Sequence, residues 1–284
     1  MNGPAYPNHN RILNSLTAAE SGRIFPNLSR VLLGTGTVLC DGGDLSRYVY
    51  FPTDAVLALI CVLSDGTLSQ IGMIGNEGES GIGLVMGGES WTGLAVVQIG
   101  GFAYRMPAAL LHDEMRRRGS LSRLLLRHAH SLFTQTAMLA VCNRHHSLDQ
   151  QLCRWLLLTL DRVASSHFKA TQEQIANLLG VRREGVTEAA GRLQHRGAIR
   201  YCHGRIAILD RSVLEELCCE CYSVVRKETD RLLPMARPQD RHDRPMRFDA
   251  NLISRRVPAR SHLHDTRGGC EKSAVRHGGK ALLT

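Results

Sequence analysis

Apolar and polar positions change period along the chain. Between about 29 and 106 the apolar residues come in short runs: Val31 to Leu33, Tyr48 to Phe51, Ala55 to Leu63, Thr67 to Ile74, Ala95 to Ile99 and Phe102 to Met106. Runs of this length, bounded by turn residues, predict strands. Gly34-Thr35-Gly36, Asp41-Gly42-Gly43 and Gly100-Gly101 supply the breaks, and Asp65-Gly66 between two apolar runs predicts a two-residue hairpin. Many short strands at this spacing predict an antiparallel roll of the jelly-roll kind.

The period then becomes helical. Pro107 suits the first position of a helix, where its missing N–H costs nothing, and Gly119-Ser120 separates that helix from the next. From Leu121 apolar residues recur at Leu125, Leu132 and Leu139, with Leu124 and Met138 beside them and His128 and Gln135 on the same stripe. Such a stripe predicts a long helix with a coiled-coil-like dimer seam; packing on its own domain is the alternative. Ser147-Leu148-Asp149-Gln150 is a capping-box pattern, followed by an apolar face of Leu148, Leu152, Trp155 and Leu156. That helix is expected to run to about Val163, with a loop over 164–170.

A second capping box, Thr171 to Gln174, opens the most specific pattern in the chain. Ile175, Leu178 and Leu179 share one face, and Gly180 supplies the positive φ that ends the helix. Val181 plugs the turn. Arg182 and Arg183 open a second helix, to about His195, with Val186, Ala190 and Leu193 inward and Arg183, Glu184, Thr187 and Glu188 outward. A short strand over 198–201, the tip His203-Gly204-Arg205 and a second strand over 206–209 make a wing. Helix, tight turn, helix and wing together predict a DNA-binding unit whose second helix enters the major groove. Two packed helices and a hairpin without a DNA role is the plainer alternative. The candidate contacts are Thr171, Gln172, Arg182, Arg183, Glu184, Thr187, Glu188, Arg192, His203 and Arg205.

Charge adds little to this. The formal net charge is +9 over 284 residues, but 234–284 carry 11 Lys and Arg against 5 Asp and Glu, so +6 of it lies in that tail. The tail is rich in Arg, His, Pro and Gly without sustained periodicity and is expected to be disordered. No apolar run is long enough for a transmembrane helix, and the polar segment Met1 to Asn10 lacks the apolar core of a signal peptide. A cytoplasmic protein is expected, its nine cysteines reduced rather than paired in disulfides.

The stretch from Thr171 to Leu193 and the closing Gly204-Arg205-Ile206-Ala207-Ile208-Leu209-Asp210 resemble the Crp/Fnr family of bacterial regulators. The resemblance extends over about 10–233. It implies a cyclic-nucleotide-binding-like β-roll over 10–118, a central dimer helix over 119–146 and a winged helix-turn-helix over 147–233, an α+β architecture. It also implies a homodimer on a two-fold-symmetric site in double-stranded DNA, with consequences for RNA polymerase access. Arg183 and Glu184 match the family's usual Arg-Glu pair; Arg can bond guanine O6 and N7, and Glu can accept from cytosine N4. Glu188 stands where the family often has a further basic residue.

In family members that bind a cyclic nucleotide, a Gly-Glu segment takes the ribose and an Arg-Ser or Arg-Thr pair takes the phosphate. Gly75-Asn76-Glu77-Gly78-Glu79-Ser80-Gly81 resembles the first, with Gly75, Glu77, Gly78 and Glu79 as candidates. The second position reads Ser90-Trp91-Thr92-Gly93, with Thr92 as candidate and no arginine. Losing that guanidinium removes a strong charge-assisted contact, so a cyclic nucleotide is not favoured. The roll is then a scaffold, a partner surface or a site for another small ligand, and the glycine-rich loop alone reads as a hairpin end.

The cysteines do not match an iron–sulfur sensor near the N-terminus, since the first is Cys40; Cys40 and Cys61 read as core residues. Cys218 and Cys221 would share a helix face, but a metal needs two further ligands and no second cysteine pair is evident. Redox or structural thiols are expected there, with no metal and no cofactor. His145 and His146, adjacent in Cys142-Asn143-Arg144-His145-His146, point apart on a helix and are expected to complement its C-terminus. Phosphate-loop, dinucleotide and hydrolase-nucleophile motifs are missing, so the chain is expected to regulate rather than catalyse. The rival reading is a small-ligand or redox sensor using the roll or the cysteines, with DNA binding secondary.

Overall fold

The computed structural model describes residues 7–41, 47–88 and 92–234. The expected disordered tail from 235 onward and Ser90-Trp91 lie outside them. Two short helices, α1 (Arg11–Asn14) and α2 (Ala18–Ile24), come first. The second carries a capping box not anticipated from the periodicity: the Thr17 hydroxyl accepts from the Glu20 N–H, and the Glu20 carboxylate accepts from the Thr17 N–H.

The predicted strand runs are all present. They are β1 (Ser29–Leu33), β2 (Val38–Cys40), β3 (Tyr48–Pro52), β4 (Val56–Val62) and β5 (Leu68–Ile74), then, after the short α3 (Ile82–Val85), β6 (Leu94–Ile99) and β7 (Gly101–Pro107). They form antiparallel sheets in the orders β1-β7-β3 and β2-β6-β4-β5. The hairpin at Asp65-Gly66 is one residue longer than expected. Leu63 N–H donates to the Thr67 carbonyl, leaving a three-residue loop with Gly66 at φ +84°. Strand β4 is nearly all buried because both faces are covered. Leu57 and Leu59 fill the roll interior with Ile74, Ala95 and Val97, while Val56 joins the core of the C-terminal half.

Helices α4 (Ala108–Arg116) and α5 (Ser120–His145) follow. Here the predicted seam is corrected. Leu121 and Leu125 pack with Phe51, Met106 and Leu111, and Leu132 closes the roll interior. The Gln135 amide bonds both main-chain groups of Met73, at 2.5 and 3.1 Å. The periodic stripe therefore covers this chain's own roll. The opposite face of α5 leaves Leu126, Phe133 and Val141 exposed, Phe133 by 74%.

The C-terminal half comprises α6 (Leu148–Leu160), β8 (His167–Lys169), α7 (Gln172–Leu179), α8 (Arg183–His195), β9 (Ile199–Cys202), β10 (Arg205–Ile208), α9 (Arg211–Leu217) and α10 (Glu220–Leu232). Two expectations change. The segment 164–170 is not all loop, because β8 pairs with β10 and makes a third strand of the wing sheet, in the order β8-β10-β9. The helix expected to carry Cys218 and Cys221 on one face is two, with Cys218 and Cys219 extended between them (ψ 156° and 164°). Helix α10 then runs back along α5, where the Ser131 and Thr229 hydroxyls meet at 2.7 Å. Leu232 and Leu233 finish in the core that holds Ile12 and Leu13. Among the described residues no helix is long and apolar enough to cross a membrane.

Candidate nucleic-acid interface

Local chemistry builds the helix-turn-helix. The Thr171 hydroxyl accepts from the Gln174 N–H at 3.1 Å, and the Gln174 side chain accepts from the Thr171 N–H at 2.9 Å. Helix α7 ends at Gly180 in the left-handed conformation, φ +68°, as its position requires. Ile175, Ala176 and Leu179 of α7 meet Val186, Ala189, Ala190 and Leu193 of α8 in one core with Trp155 and Phe168. Gly185 permits the close approach of α6, since a Cβ there would lie 2.9 Å from Leu148 Cδ2.

That packing turns Arg182, Arg183, Glu184, Thr187 and Glu188 to solvent at the N-terminal end of α8. Among the described residues neither Arg182 nor Arg183 forms a salt bridge. Thr187 Oγ1 lies 2.9 Å from Gln172 Oε1 and 3.1 Å from the Arg183 carbonyl, tying the starts of α7 and α8 together. The wing tip is a two-residue turn with His203 at φ +48° and Gly204 at φ +70°, the conformation favoured in tight hairpins. The Tyr201 hydroxyl donates to the Ala170 carbonyl at 2.7 Å and holds the wing beside Thr171.

Arg192 differs from the other candidates. Its guanidinium grips Asp149 of α6 through two hydrogen bonds, 2.8 and 2.6 Å, and also faces Glu188 at 3.8 Å. This surface ion pair, with the Arg192 side chain 55% exposed, ties α8 to α6. The third wing strand, conversely, contributes residues that sequence reasoning missed. Register brings His167 and Lys169 of β8 beside Ala207 and Arg205 of β10, with Arg200 and Cys202 of β9 on the other side. Alternation places Phe168, Ile206 and Ile199 inward and leaves His167, Lys169, Arg200 and Arg205 exposed on one face. A three-residue strand without apolar alternation gave no signal beforehand.

Residues 150–217 match the family of Crp-like helix-turn-helix domains. The chain has the Crp/Fnr fold and carries a Crp-like helix-turn-helix domain. Solved structures with this fold include a putative transcriptional regulator of the Crp/Fnr family from Eubacterium rectale. It is 21% identical, with 74% of this chain and 98% of that one covered and a TM-score of 0.58. FixK2 from Bradyrhizobium japonicum is 16% identical over 68% of this chain and 98% of its own, with a TM-score of 0.57. CLP from Xanthomonas campestris, described as a c-di-GMP responsive global regulator, is 14% identical over 68% and 100%, with a TM-score of 0.54. No curated protein matches the chain.

Outside the Crp-like domain, the glycine-rich loop of the roll is filled by this protein's own side chains. Glu77, 5% exposed, receives Arg162 Nε at 2.8 Å and Nη2 at 2.7 Å. Burial pushes the Glu77 carboxyl up, but the Arg162 charge and backbone N–H donors, that of Gly75 among them, together hold the group below the usual carboxylate range. Glu79, fully buried, faces His128 Nδ1 at 3.4 Å and accepts from the Gly81 N–H. A Cβ at Gly75 would lie 2.6 Å from Arg162 Cγ, and one at Gly78 would overlap the His128 ring. These glycines make room for His128 of α5 and for Arg162, just beyond the end of α6. Thr92 is exposed.

The cysteine expectation also changes. Cys218 does not share a helix face with Cys221; its Sγ points toward the Gln150 carbonyl, 4.0 Å away. Cys219 and Cys221 instead meet Cys142 and His146 at the end of α5. Burial pushes the Cys142 thiol up to about 12 and the Cys221 thiol to about 11.

Proposed function

We propose that this protein is a sequence-specific DNA-binding transcription regulator that acts as a homodimer on a palindromic site and has no catalytic role. One observation carries the reading: Arg183 and Glu184 stand exposed at the N-terminal end of α8 and, among the described residues, form no ion pair, flanked by a wing that exposes His167, Lys169, Arg200, His203 and Arg205. That arrangement suits a helix end in a major groove, with Arg183 donating to guanine, Glu184 accepting from cytosine, and Lys169, Arg200, His203 and Arg205 on phosphates. Thr171, the N-cap of α7, and Gln172, its first residue, lie beside the same end of α8, Gln172 within 2.9 Å of Thr187. Glu188 cannot donate to guanine and repels phosphate there.

The Leu126, Phe133 and Val141 face of α5 supports dimerisation through that helix, because a phenyl ring this exposed is uncommon without a partner. Two recognition helices would then address half-sites about 34–36 Å apart. A regulator of this kind works in the cytoplasm by altering RNA polymerase access. A cyclic nucleotide is not favoured as its effector, because Glu77 and Glu79 are already engaged.

The test is to sequence the genomic fragments that the purified protein retains. An inverted repeat common to them supports the reading, and retention without any shared sequence overturns it. Phe133→Asp is expected to yield monomers by light scattering and to abolish retention.

A further inference from the structure

We propose that Cys142, His146, Cys219 and Cys221 form a tetrahedral site for a zinc-type divalent cation at the joint between α5 and α6. Two unrelated segments converge there. Cys142 lies in the last turn of α5, and His146, the extended residue that caps that helix, donates its N–H to the Cys142 carbonyl at 3.0 Å. The extended break after α9 delivers Cys219, and the first turn of α10 delivers Cys221. The three Sγ atoms and a ring nitrogen all lie within 4.8 Å of one another.

The spacing fits one ion. Metal distances of about 2.3 Å to sulfur and about 2.0–2.1 Å to nitrogen imply tetrahedral edges of about 3.8 Å between sulfurs and about 3.5 Å between sulfur and nitrogen. The Cys142 to Cys219 sulfur separation is 3.5 Å, and Cys221 Sγ to His146 Nδ1 is 3.6 Å. A disulfide would need about 2.05 Å. A multi-iron cluster would spread its ligands further than these four are spread. Three sulfurs and one imidazole nitrogen in a tetrahedron select zinc among the common divalent ions.

Two neighbours complete the site chemically. His146 Nε2 lies 3.3 Å from Glu220 Oε2, so the ring nitrogen facing away from Cys221 is held by a carboxylate, the usual outer-shell arrangement of a metal-bound histidine. Arg154 is buried (3% exposed), its Nε has no hydrogen-bond partner, and among the described residues it forms no salt bridge. A buried guanidinium needs a counter-charge. A divalent ion with three thiolates and a neutral imidazole carries one net negative charge, and Arg154 acts electrostatically on Cys142 and Cys218. Binding would displace the three thiol protons to solvent and keep those three cysteines reduced. The ion would pin the start of α10 to the end of α5, one residue before the Ser147 cap of α6.

The experiment uses the full-length untagged protein, reduced and supplied with zinc(II). Elemental analysis after gel filtration is expected to find about one zinc per chain. Cobalt(II) in its place is expected to give the intense visible bands of a tetrahedral ion with thiolate charge transfer. Cys219→Ser and Cys221→Ser are expected to lose the metal, whereas Cys61→Ser keeps it. Glu220→Gln is expected to weaken affinity by about 10–100-fold while leaving the cobalt spectrum tetrahedral. The proposal is overturned if the reduced wild-type chain retains no zinc, if its cobalt spectrum is octahedral, or if a folded Cys219→Ser chain retains a full equivalent. If both serine variants fail to fold, the wild-type stoichiometry and cobalt spectrum still decide.

Discussion

Arg183 and Arg162 are the same residue type in opposite circumstances. Arg183, with Glu184 beside it, sits exposed at the start of α8 and forms no ion pair among the described residues. Arg162 reaches into the 75–81 loop, almost fully buried, and closes on Glu77 through two nitrogens. Both regions look like binding sites in the sequence: charged residues, glycines, a turn. The difference is where the countercharge comes from. In the loop the protein supplies it, so the charges hold the roll to α5 and α6. At α8 it does not, so the charges remain for something outside the chain. A charged motif indicates a ligand only when its partner is missing from the fold.

The strongest way to break this comparison is to unpair the loop. Arg162→Met should destabilise the protein by about 3–5 kcal/mol, because it strands a buried carboxylate. Adding Glu77→Gln should recover much of that loss, measured by denaturant unfolding. A wild-type midpoint for Arg162→Met would mean that Glu77 is free for a ligand after all.

Glu20 sharpens the same point. Burial would raise its carboxyl, but hydrogen bonds from Ser120, Thr17 and the Leu121 N–H bring it down to about 2. A lowered folded value means that its stabilisation is complete above the ordinary value of 4.5 and is lost as pH falls toward about 2. Glu77 acts in the same direction. Unfolding free energy should therefore drop across that window. Glu20→Gln should cost about 1.5–3 kcal/mol at neutral pH and flatten the acid slope.

On the other side of the comparison, Arg183→Ala should weaken specific DNA binding by about 1–3 kcal/mol while shifting stability by no more than about 0.5 kcal/mol. A destabilised but binding-competent variant would reverse the assignment. The smallest effect is expected at the wing: Lys169→Ala should weaken binding to all sequences alike and reduce the salt slope by about 1.

The elements that chain-local chemistry dictates were legible. The capping boxes at Ser147 and Thr171, the left-handed Gly180 and the inward Val186, Ala190 and Leu193 need only residues a few positions apart. The strand runs were legible for the same reason. The role of the α5 stripe was not, because a helix's apolar edge looks the same whether it covers its own roll or a second copy. The pairing of Arg192 with Asp149 was not legible, because the two lie 43 residues apart.

The sequence by itself determined the main strand runs, the long central helix and the helix-turn-helix, whose geometry arises from short-range hydrogen bonds and side-chain period. Tertiary structure alone decided which charges are spent and which are available, and brought Cys142 within 3.5 Å of Cys219 across 77 residues. Such meetings depend on how α10 returns along α5, and that path is set by packing over the whole roll rather than by any neighbour in the chain.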